Sequence, residues 1–499
     1  MPLKLEPKQL ATFAVWSCLL TAYYAFVVTF GRFEGMADPM DYYDLLAEGW
    51  LRGHLYLPVE PQASLLQRDN PFDYAYASDW LWDASLYKGR YYLYWGPVPG
   101  LWLMAFKWIT QYRLPVYDQW LVLGYMCLRL YAGTALIVLY VHRQAPSLPG
   151  WVTHLAILVF AMANPTPYFM VRPWMYEAAI AAGQAFVFCG LLAAYVGVIE
   201  PRVRTRSFVV AGVCFAMALG SRGSLIVVAP LLVLVTALAA NRAAGYPLRR
   251  VAGSLLALGL PVVTTVAMLL VYNKLRFDSF GEFGLKYQLT APQFMSKGRF
   301  ILPNIVSYLT SEVDWSCKFP FARLTMDRTL TELIKWPRDY EIGTWEKGER
   351  AAGILFATSI CWLWCGWWWR AAGAASRTVR RINTRFASTG ELWLLGVAIA
   401  LVLSLGPATR MWMANQRFLE DGIGGILLGA LGAGVWMLKR TERSRHVVLR
   451  GLAKLLFVAL CLQTIVAGVC LGFTGHMDSF AYQNPELYGW LETKLSMCK

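Results

Sequence analysis

Long apolar stretches alternate with short polar connections along most of the 499-residue chain. A helix needs roughly 20 apolar residues to cross the hydrocarbon of a bilayer. Windows of this kind centre on residues 10–30, 118–141, 151–168, 177–199, 251–272, 351–369, 391–408, 422–438 and 451–473. The run from Ser207 to Ala240 predicts two shorter spans bent around Ser221-Arg222-Gly223, because an arginine is costly at mid-bilayer. The pattern predicts an all-α polytopic membrane protein with about eleven transmembrane helices, forming one integral membrane domain over residues 1–499.

The charges of the short connections indicate how these spans are oriented. Residues 93–110 are apolar but interrupted by Gly96-Pro97-Val98-Pro99-Gly100, so they either cross the bilayer or lie in its interface. If they lie in the interface, five short connections with seventeen basic residues and two acids fall on the side of the N-terminus. The positive-inside rule favours this arrangement. The first window lacks a clear small-x-small cleavage site, so we expect it to remain as a span.

With this orientation the long polar segments share one face. Two loops, residues 31–117 and 273–350, face outward together with a hairpin at 169–176, a turn at 409–421 and the tail 474–499. Gathering polar sequence on one face is how a membrane enzyme builds a site. We therefore expect a multi-pass protein of a bacterial inner membrane with its site in the periplasm.

Composition agrees with a membrane protein and excludes other classes. The chain is 57% hydrophobic and 15% charged, with a mean hydropathy of +0.42. Its net charge of +15 does not indicate nucleic acid, because the basic residues lie in short connections between spans. Eight of the ten cysteines fall inside apolar segments. Cys317 and Cys498 lie in the outward loop and tail, where one disulfide could join them.

Acids of the first loop are candidates for proton transfer. Asp41 and Asp44 flank the start of a short amphipathic helix predicted by the spacing of Tyr43, Leu46 and Ala47, and Asp38 precedes it. Capping of that helix explains Asp38 and Asp41 equally well. The alternative is a general base, because a carboxylate at the membrane surface can take a proton from a hydroxyl.

Cations occur at the outward ends of spans and in an aromatic segment of the first loop. Such groups can bind a lipid phosphate, Lys as a point charge and Arg as a fork. The candidates are Lys88, Arg90, Arg222 and Arg417, with Arg172 beside Glu177 in the hairpin. The alternatives are snorkelling to the interface and structural ion pairs, Arg172 with Glu177 and Arg417 with Glu420 or Asp421.

Further acids and aromatic rings suit sugar binding. Asp83 lies in the aromatic run of the first loop, and Glu282 lies in an interleaved segment that opens the second. The chain has no phosphate-binding glycine loop, no dinucleotide fingerprint and no His-Glu-x-x-His. The carboxylates leave the use of a divalent cation open, and no metal ligands can be assigned.

The order of these parts resembles the multispanning glycosyltransferases of the GT-C superfamily, such as protein O-mannosyltransferases and lipid A aminoarabinose transferases. The matching parts are Asp38 or Asp41, the following helix from Tyr42 or Tyr43 to Ala47, and Lys88 through Pro97 to Pro99, with Glu177 and residues 273–350 later. The chain departs from the family at Pro39, which stands where the second acid of a pair would be. The base is therefore Asp41, Asp38 or, less favourably, Asp44.

The resemblance implies an inverting transfer of a sugar from a polyprenyl-phosphate donor to a hydroxyl of an envelope glycan, lipid or protein. Asp41 or Asp38 would act as the base, while Lys88, Arg90, Arg222 or Arg417 would stabilise the leaving phosphate. The expected substrate-binding residues are Asp44, Asp83, Arg172, Glu177 and Glu282. The rival hypotheses are a lipid-linked glycan flippase, a polymerase or ligase using a lipid-diphosphate glycan, and a structural membrane subunit.

Overall fold

The computed structural model describes residues 6–244, 251–290, 297–324, 351–368 and 388–498. These ranges contain nine helices long and apolar enough to span a membrane. The helical parts of these spans are α1 (Pro7–Val28), α5 (Asp118–Gln144), α8 (Met175–Ile199), α9 (Arg204–Ser221), α10 (Val228–Ala244), α11 (Val251–Phe277), α14 (Thr389–Val402), α16 (Leu419–Glu442) and α17 (Val447–Thr474). The predicted all-α polytopic class is confirmed.

Shorter elements connect these spans. The short helices are α2 (Tyr42–Leu51), α3 (Ala63–Leu66), α4 (Val98–Thr110), α6 (Trp151–Met162), α7 (Thr166–Met170), α12 (Ile301–Thr310), α13 (Ile354–Ala357), α15 (Gly406–Thr409), α18 (Ser479–Gln483) and α19 (Pro485–Leu495). Two antiparallel hairpins join β1 (Ser85–Tyr87) to β2 (Arg90–Tyr92) and β3 (Val313–Trp315) to β4 (Ala322–Leu324).

The predicted bend around Ser221-Arg222-Gly223 is confirmed, since α9 ends at Ser221 and a 3₁₀ turn over Gly223–Ile226 precedes α10. Two predicted windows form shorter elements. Window 151–168 holds α6 and α7, and window 351–369 holds α13 and a 3₁₀ helix over Ser359–Trp364. Arg249, Arg250, the basic connection 370–385 and residues 325–350 of the second loop lie outside the described residues.

The ambiguous segment 93–110 forms α4, which has 13 residues. At a rise of about 1.5 Å per residue, α4 is roughly 20 Å long and too short to cross the hydrocarbon. It packs against the predicted amphipathic helix, α2. A β-carbon at Gly100 would stand 3.0 Å from Leu46 and 3.1 Å from Trp50, so this glycine permits close packing.

Spans at the centre of the bundle differ from those at its edge. The share of the span that is buried by protein is 89% over Gln416–Glu442, which includes α16, and 11% in α11. Glycines admit aromatic rings between the central helices: a β-carbon at Gly133 would meet the Phe160 ring at 2.2 Å. Small residues at such contacts let helices approach closely where lipid supplies no hydrophobic drive.

The two long loops and the tail meet at one end of the bundle, which we call the loop end. The Leu289 amide of the second loop donates to the Ala84 carbonyl of the first at 3.1 Å. The Ala37 amide of the first loop donates to the Gln483 side chain of the tail at 3.1 Å. The described parts of the first loop, the second loop and the tail therefore form one layer over the spans.

A disulfide between Cys317 and Cys498 fastens the tail to the second loop, as the sequence analysis allowed. The Met497 amide also donates to the Cys317 carbonyl at 2.8 Å. The other eight cysteines are free thiols. Because disulfides persist in oxidising compartments, this bond agrees with a loop end that faces outward.

We predict that the denatured, unreduced protein has eight thiols that react with maleimide and ten after reduction. Intact-mass spectrometry of the adducts measures both counts. Cys317→Ser should expose Cys498 and leave nine thiols under either condition, whereas the control Cys18→Ser should give seven and nine. Ten reactive thiols without reduction would contradict the disulfide.

Candidate functional site

The start of α2 is capped by a residue from a distant span. Asp118 accepts hydrogen bonds from the Tyr42 amide at 3.2 Å and the Tyr43 amide at 3.4 Å. Asp41 occupies the N-cap position, but its side chain makes no capping hydrogen bond. The side chain that caps α2 is therefore that of Asp118 and not that of Asp41. No local sequence signal marked Asp118, because it lies more than 70 residues away in the chain.

Asp41 and Asp38 have different surroundings. Asp41 is half-buried, and burial followed by the nearby Asp44 carboxylate raises the pKa of Asp41. Asp38 is exposed, and its carboxylate accepts from the Tyr482 hydroxyl of the tail at 3.4 Å. The surroundings of Asp41 thus move its pKa in the direction that suits a general base.

Asp44 connects α2 to α4 through a buried ion pair. The Lys107 ammonium lies 2.6 Å from Asp44 Oδ1 and 2.7 Å from Oδ2, with both side chains almost fully buried. The Val116 amide donates to the same carboxylate at 3.1 Å, and Lys107 also reaches Glu48 at 3.1 Å. These contacts hold the Asp44 carboxylate between α2 and α4.

Asp83 lies in a buried cluster built from both loops. Its backbone has a φ of +59°, and its amide donates to Thr290 Oγ1 at 2.9 Å. The Gln288 side chain donates to the Asp83 carboxylate and, at 3.2 Å, to the Tyr94 hydroxyl. Burial raises the pKa of Asp83, while its hydrogen bonds with Tyr176 and Gln288 act in the opposite direction.

Two arginines stack on the same tyrosine at the start of α8. The Arg417 guanidinium lies 4.5 Å from the Tyr176 ring centroid, and the Arg172 guanidinium lies 5.5 Å from it and 4.3 Å from the Trp174 ring. Glu177 is fully buried and interacts electrostatically with Arg172 and Arg417. The hairpin and the later turn, far apart in sequence, thus contribute to one site.

Arg222 joins this site from the bend between α9 and α10. Its Nε and Nη2 donate to Asp421 Oδ2 at 3.2 and 3.1 Å, and both side chains are buried. The Arg222 guanidinium lies 5.8 Å from the Phe418 ring, and that of Arg417 lies 5.2 Å from the same ring. We call the set Asp83, Arg172, Tyr176, Glu177, Arg222, Gln288, Arg417, Phe418 and Asp421 the arginine cluster.

Glycine allows the first loop to reach the arginine cluster. A β-carbon at Gly96 would lie 2.3 Å from the Gly220 carbonyl oxygen, so only glycine lets this segment lie against the end of α9. The neighbouring Trp95 ring then lies 5.4 Å from the Arg222 guanidinium and 5.3 Å from the Tyr176 ring. Gly96, which interrupts the apolar segment, therefore allows the Trp95 ring to reach the arginine cluster.

Other predicted residues lie at the rim of the loop layer. Lys88 occupies the tight turn between β1 and β2 and forms an exposed ion pair with Asp278 at 2.8 Å. The hydrogen bond from Lys88 lowers the pKa of Asp278. Arg90 pairs with Glu60. Glu282 accepts from the Gly284 and Lys286 amides at 2.7 and 3.3 Å, which stabilises a turn of the second loop.

Glu420 and Asp421, proposed from sequence as partners of Arg417, pair with other arginines. Asp421 pairs with Arg222, and Glu420 lies 3.2 Å from Arg129 of α5, with both members of the latter pair fully buried. The Thr166 hydroxyl donates to Glu420 at 3.0 Å. Sequence analysis did not select Arg129, although an arginine within an apolar span is itself a signal.

The described residues do not provide a set of ligands to which a metal site could be assigned. Within the ranges that the structure describes, no three His, Cys, Asp or Glu side chains come together as metal ligands. Asp421 of the arginine cluster pairs with Arg222, and Glu177 interacts electrostatically with Arg172 and Arg417.

No family model and no curated protein matches the chain. Solved structures of the oligosaccharyltransferase of Archaeoglobus fulgidus resemble it. The apo form has 13% identity and a TM-score of 0.46 over 93% of this chain and 56% of that chain. The form tethered with an acceptor peptide containing the NVT sequon has 13% identity and a TM-score of 0.45 over 94% and 55%. The complex with an inhibitory peptide and a dolichol-phosphate has 12% identity and a TM-score of 0.47 over 94% and 56%.

The chain thus spans little more than half the length of the archaeal enzyme. TM-scores below 0.5 do not establish a common fold.

We predict that Lys107→Met lowers the unfolding temperature of the detergent-purified protein, because it leaves Asp44 buried without its cation. Breaking a buried pair costs about 3–5 kcal/mol. The double variant Asp44→Asn/Lys107→Met, which removes both charges, should recover much of that loss. Differential scanning fluorimetry measures the three proteins; equal melting temperatures for wild type and Lys107→Met would show that the pair does not hold α2 to α4.

Proposed function

We propose that the protein is an inverting glycosyltransferase that moves a sugar from a polyprenyl-phosphate donor to a hydroxyl of an envelope glycan, lipid or protein. The observation that supports this proposal most is the arginine cluster, where three guanidinium groups, buried acids and aromatic rings lie together at the ends of spans. A lipid that carries a phosphate needs positive charge at the edge of the hydrocarbon. A sugar ring suits aromatic faces with polar partners.

We place the site in the periplasm of a bacterial inner membrane. Two independent features support this side. In the predicted topology five short connections on the N-terminal side carry seventeen basic residues and two acids, as the positive-inside rule expects of a cytoplasmic face. The disulfide of the loop end fits an oxidising compartment.

Arg222 and Arg417 are the proposed ligands of the donor phosphate. Both guanidinium groups border Phe418, and Arg222 is held by Asp421. An incoming phosphate would compete with that carboxylate for the guanidinium fork, which binds either anion in the same geometry. Lys88 and Arg90 form exposed pairs that contribute little to stability and are readily exchanged, so we assign them to the rim.

In the proposed reaction, the acceptor hydroxyl oxygen attacks the anomeric carbon and the bond from that carbon to the phosphate oxygen breaks. Asp41 takes the hydroxyl proton. The electron pair of the broken bond leaves with the phosphate, and the developing charge is stabilised by Arg222 and Arg417. Attack from the face opposite the phosphate inverts the anomeric configuration.

Tyr42 supports the placement of Asp41 beside the arginine cluster. Its side chain interacts electrostatically with Asp83 and Asp41, and its hydroxyl donates to the Trp82 carbonyl at 2.5 Å. We assign Asp83, Arg172 and Glu177 to the binding of sugar hydroxyls or the acceptor, and Glu282 to the shape of the second loop.

One observation favours the flippase alternative. The Arg129–Glu420 pair is fully buried within the bundle, and transporters concentrate ionisable residues there. The Thr166 hydroxyl and the Phe160 and Phe188 rings also contact this pair. These fixed contacts suit a structural pair better than a moving one, so transfer remains the proposal.

We predict donor-dependent transfer of radiolabelled sugar by the purified protein, tested with a panel of polyprenyl-phosphate sugars. Asp41→Asn should lower the rate about 10²–10⁴-fold, the usual contribution of a general base. The matched control Asp38→Asn should change it little, because Asp38 is exposed and bound to the tail. Loss of activity in Asp38→Asn but not in Asp41→Asn would identify Asp38 as the general base. No turnover with any donor, together with movement of labelled lipid between leaflets of liposomes, would favour the flippase.

We predict further that kcat/KM falls at low pH through an apparent pKa above about 3.9, the ordinary value for an aspartate. A base must be deprotonated, and burial and then Asp44 raise the pKa of Asp41. Glu48 raises it further, so Glu48→Gln should move the acid limb to lower pH and leave the plateau unchanged. The control Glu486→Gln should leave the pH profile in place. A shift to higher pH in Glu48→Gln would contradict this role for Asp41.

A further inference from the structure

A polar cavity lies at the end of the bundle opposite the loop end. Its volume is about 340 Å³, and it lies between α9, α10 and α11. Its polar lining comes from Arg204, Thr205, Asn241 and Ser254, while Phe208 and Ala257 line it toward the middle of the bundle. The cavity therefore combines a polar mouth with an apolar floor.

Two helices begin at this cavity. Arg204 is the first residue of α9, and Ser254 lies in the first turn of α11. The first amides of a helix have no acceptor within the helix, and the helix dipole places partial positive charge there. The residue before α9, Val203, supplies no side-chain cap, although the Arg204 amide donates to the Pro201 carbonyl of the preceding 3₁₀ turn. The dipole of α9 thus directs partial positive charge toward this space.

Arg204 adds a full charge to that potential. Its Nε donates to the Gly197 carbonyl at 3.0 Å, which fixes the guanidinium at the mouth of the cavity. Its Nη2 is buried and has no hydrogen-bond partner within the part of the chain that the structure describes. A buried guanidinium nitrogen without an acceptor is costly, and an anion in the cavity would remove that cost.

The surroundings favour an anion that carries acyl chains. The side chains of Leu256, Leu260 and Val263 on α11 are 66%, 62% and 66% exposed. In a spanning helix such exposed side chains face lipid, so acyl chains have an apolar surface directly below the cavity. In the predicted topology five short connections with seventeen basic residues and two acids lie on the proposed cytoplasmic side, where anionic lipid is attracted.

We propose that this cavity binds the phosphate of an anionic phospholipid headgroup, with the Arg204 guanidinium at the start of α9 as its donor and Thr205, Asn241 and Ser254 around the headgroup hydroxyls. The site is separate from the arginine cluster, since α9 begins at the cavity and ends at Ser221, next to Arg222 of that cluster. The assignment does not depend on sugar transfer.

The test is native mass spectrometry of the full-length protein, released from nanodiscs that contain phosphatidylglycerol or phosphatidylcholine. Wild type should retain phosphatidylglycerol in preference to phosphatidylcholine. Arg204→Gln should weaken retention about tenfold, as expected for the loss of a charge-assisted hydrogen bond. The control Arg206→Gln removes the same charge from an exposed position and should change retention less than about twofold.

A second variant separates binding from folding. Ser254→Asp places a carboxylate in the cavity while keeping Arg204 and its bond to Gly197, and it should also abolish the preference for phosphatidylglycerol. Equal retention by Arg204→Gln and wild type, or loss of retention in Arg206→Gln to the same extent, would overturn the site. Stabilisation by millimolar inorganic phosphate without any lipid preference would overturn the assignment to a phospholipid.

Discussion

Lipid does not solvate charge, and this constraint determines how the loop end is organised. Glu420 and Asp421, consecutive at the start of α16, pair with Arg129 of α5 and Arg222 after α9. Removing one partner of such a pair leaves a buried charge without compensation, which costs several kcal/mol. The two pairs therefore determine where the loop ends of three spans lie relative to one another.

The site follows from that arrangement. With Arg222 held at the end of α9, Gly96 lets the first loop lie against the same helix end and brings Trp95 to the guanidinium. Asp83 then connects the first loop to Gln288 of the second. The loops contribute the acids and aromatic rings, and the spans contribute the arginines. Charged groups can stay buried here because the loops and the spans each supply hydrogen bonds or opposite charges to them.

The spans could be predicted from the sequence because the bilayer imposes length and apolarity on every one of them. Window 177–199 corresponds to α8, and the cost of Arg222 at mid-bilayer indicated the bend after α9. The helix at Tyr42–Leu51 was predicted from its amphipathic spacing. The disulfide was an option because only Cys317 and Cys498 lie outside apolar segments.

Partners across the loops could not be predicted, because they join residues that are distant in sequence. The ion pair of Asp44 with Lys107 of α4 joins residues 63 positions apart, and no local pattern indicates it. Capping of α2 by Asp118 has no local pattern, and the exposed partner of Lys88 comes from the end of α11. Residue type identified the charged candidates, but only the fold separated those at the rim from those in the arginine cluster.

The most direct test of the central claim is to locate the bound donor lipid. A polyprenyl phosphate with a photoreactive group on the isoprenoid unit next to the phosphate would be crosslinked to the purified protein, and the labelled peptides identified by mass spectrometry. The account predicts labelling of peptides around Trp95, Tyr176 and Phe418, reduced by excess unlabelled lipid and by Arg417→Gln. Labelling confined to the opposite end of the bundle, unchanged in Arg417→Gln, would contradict it.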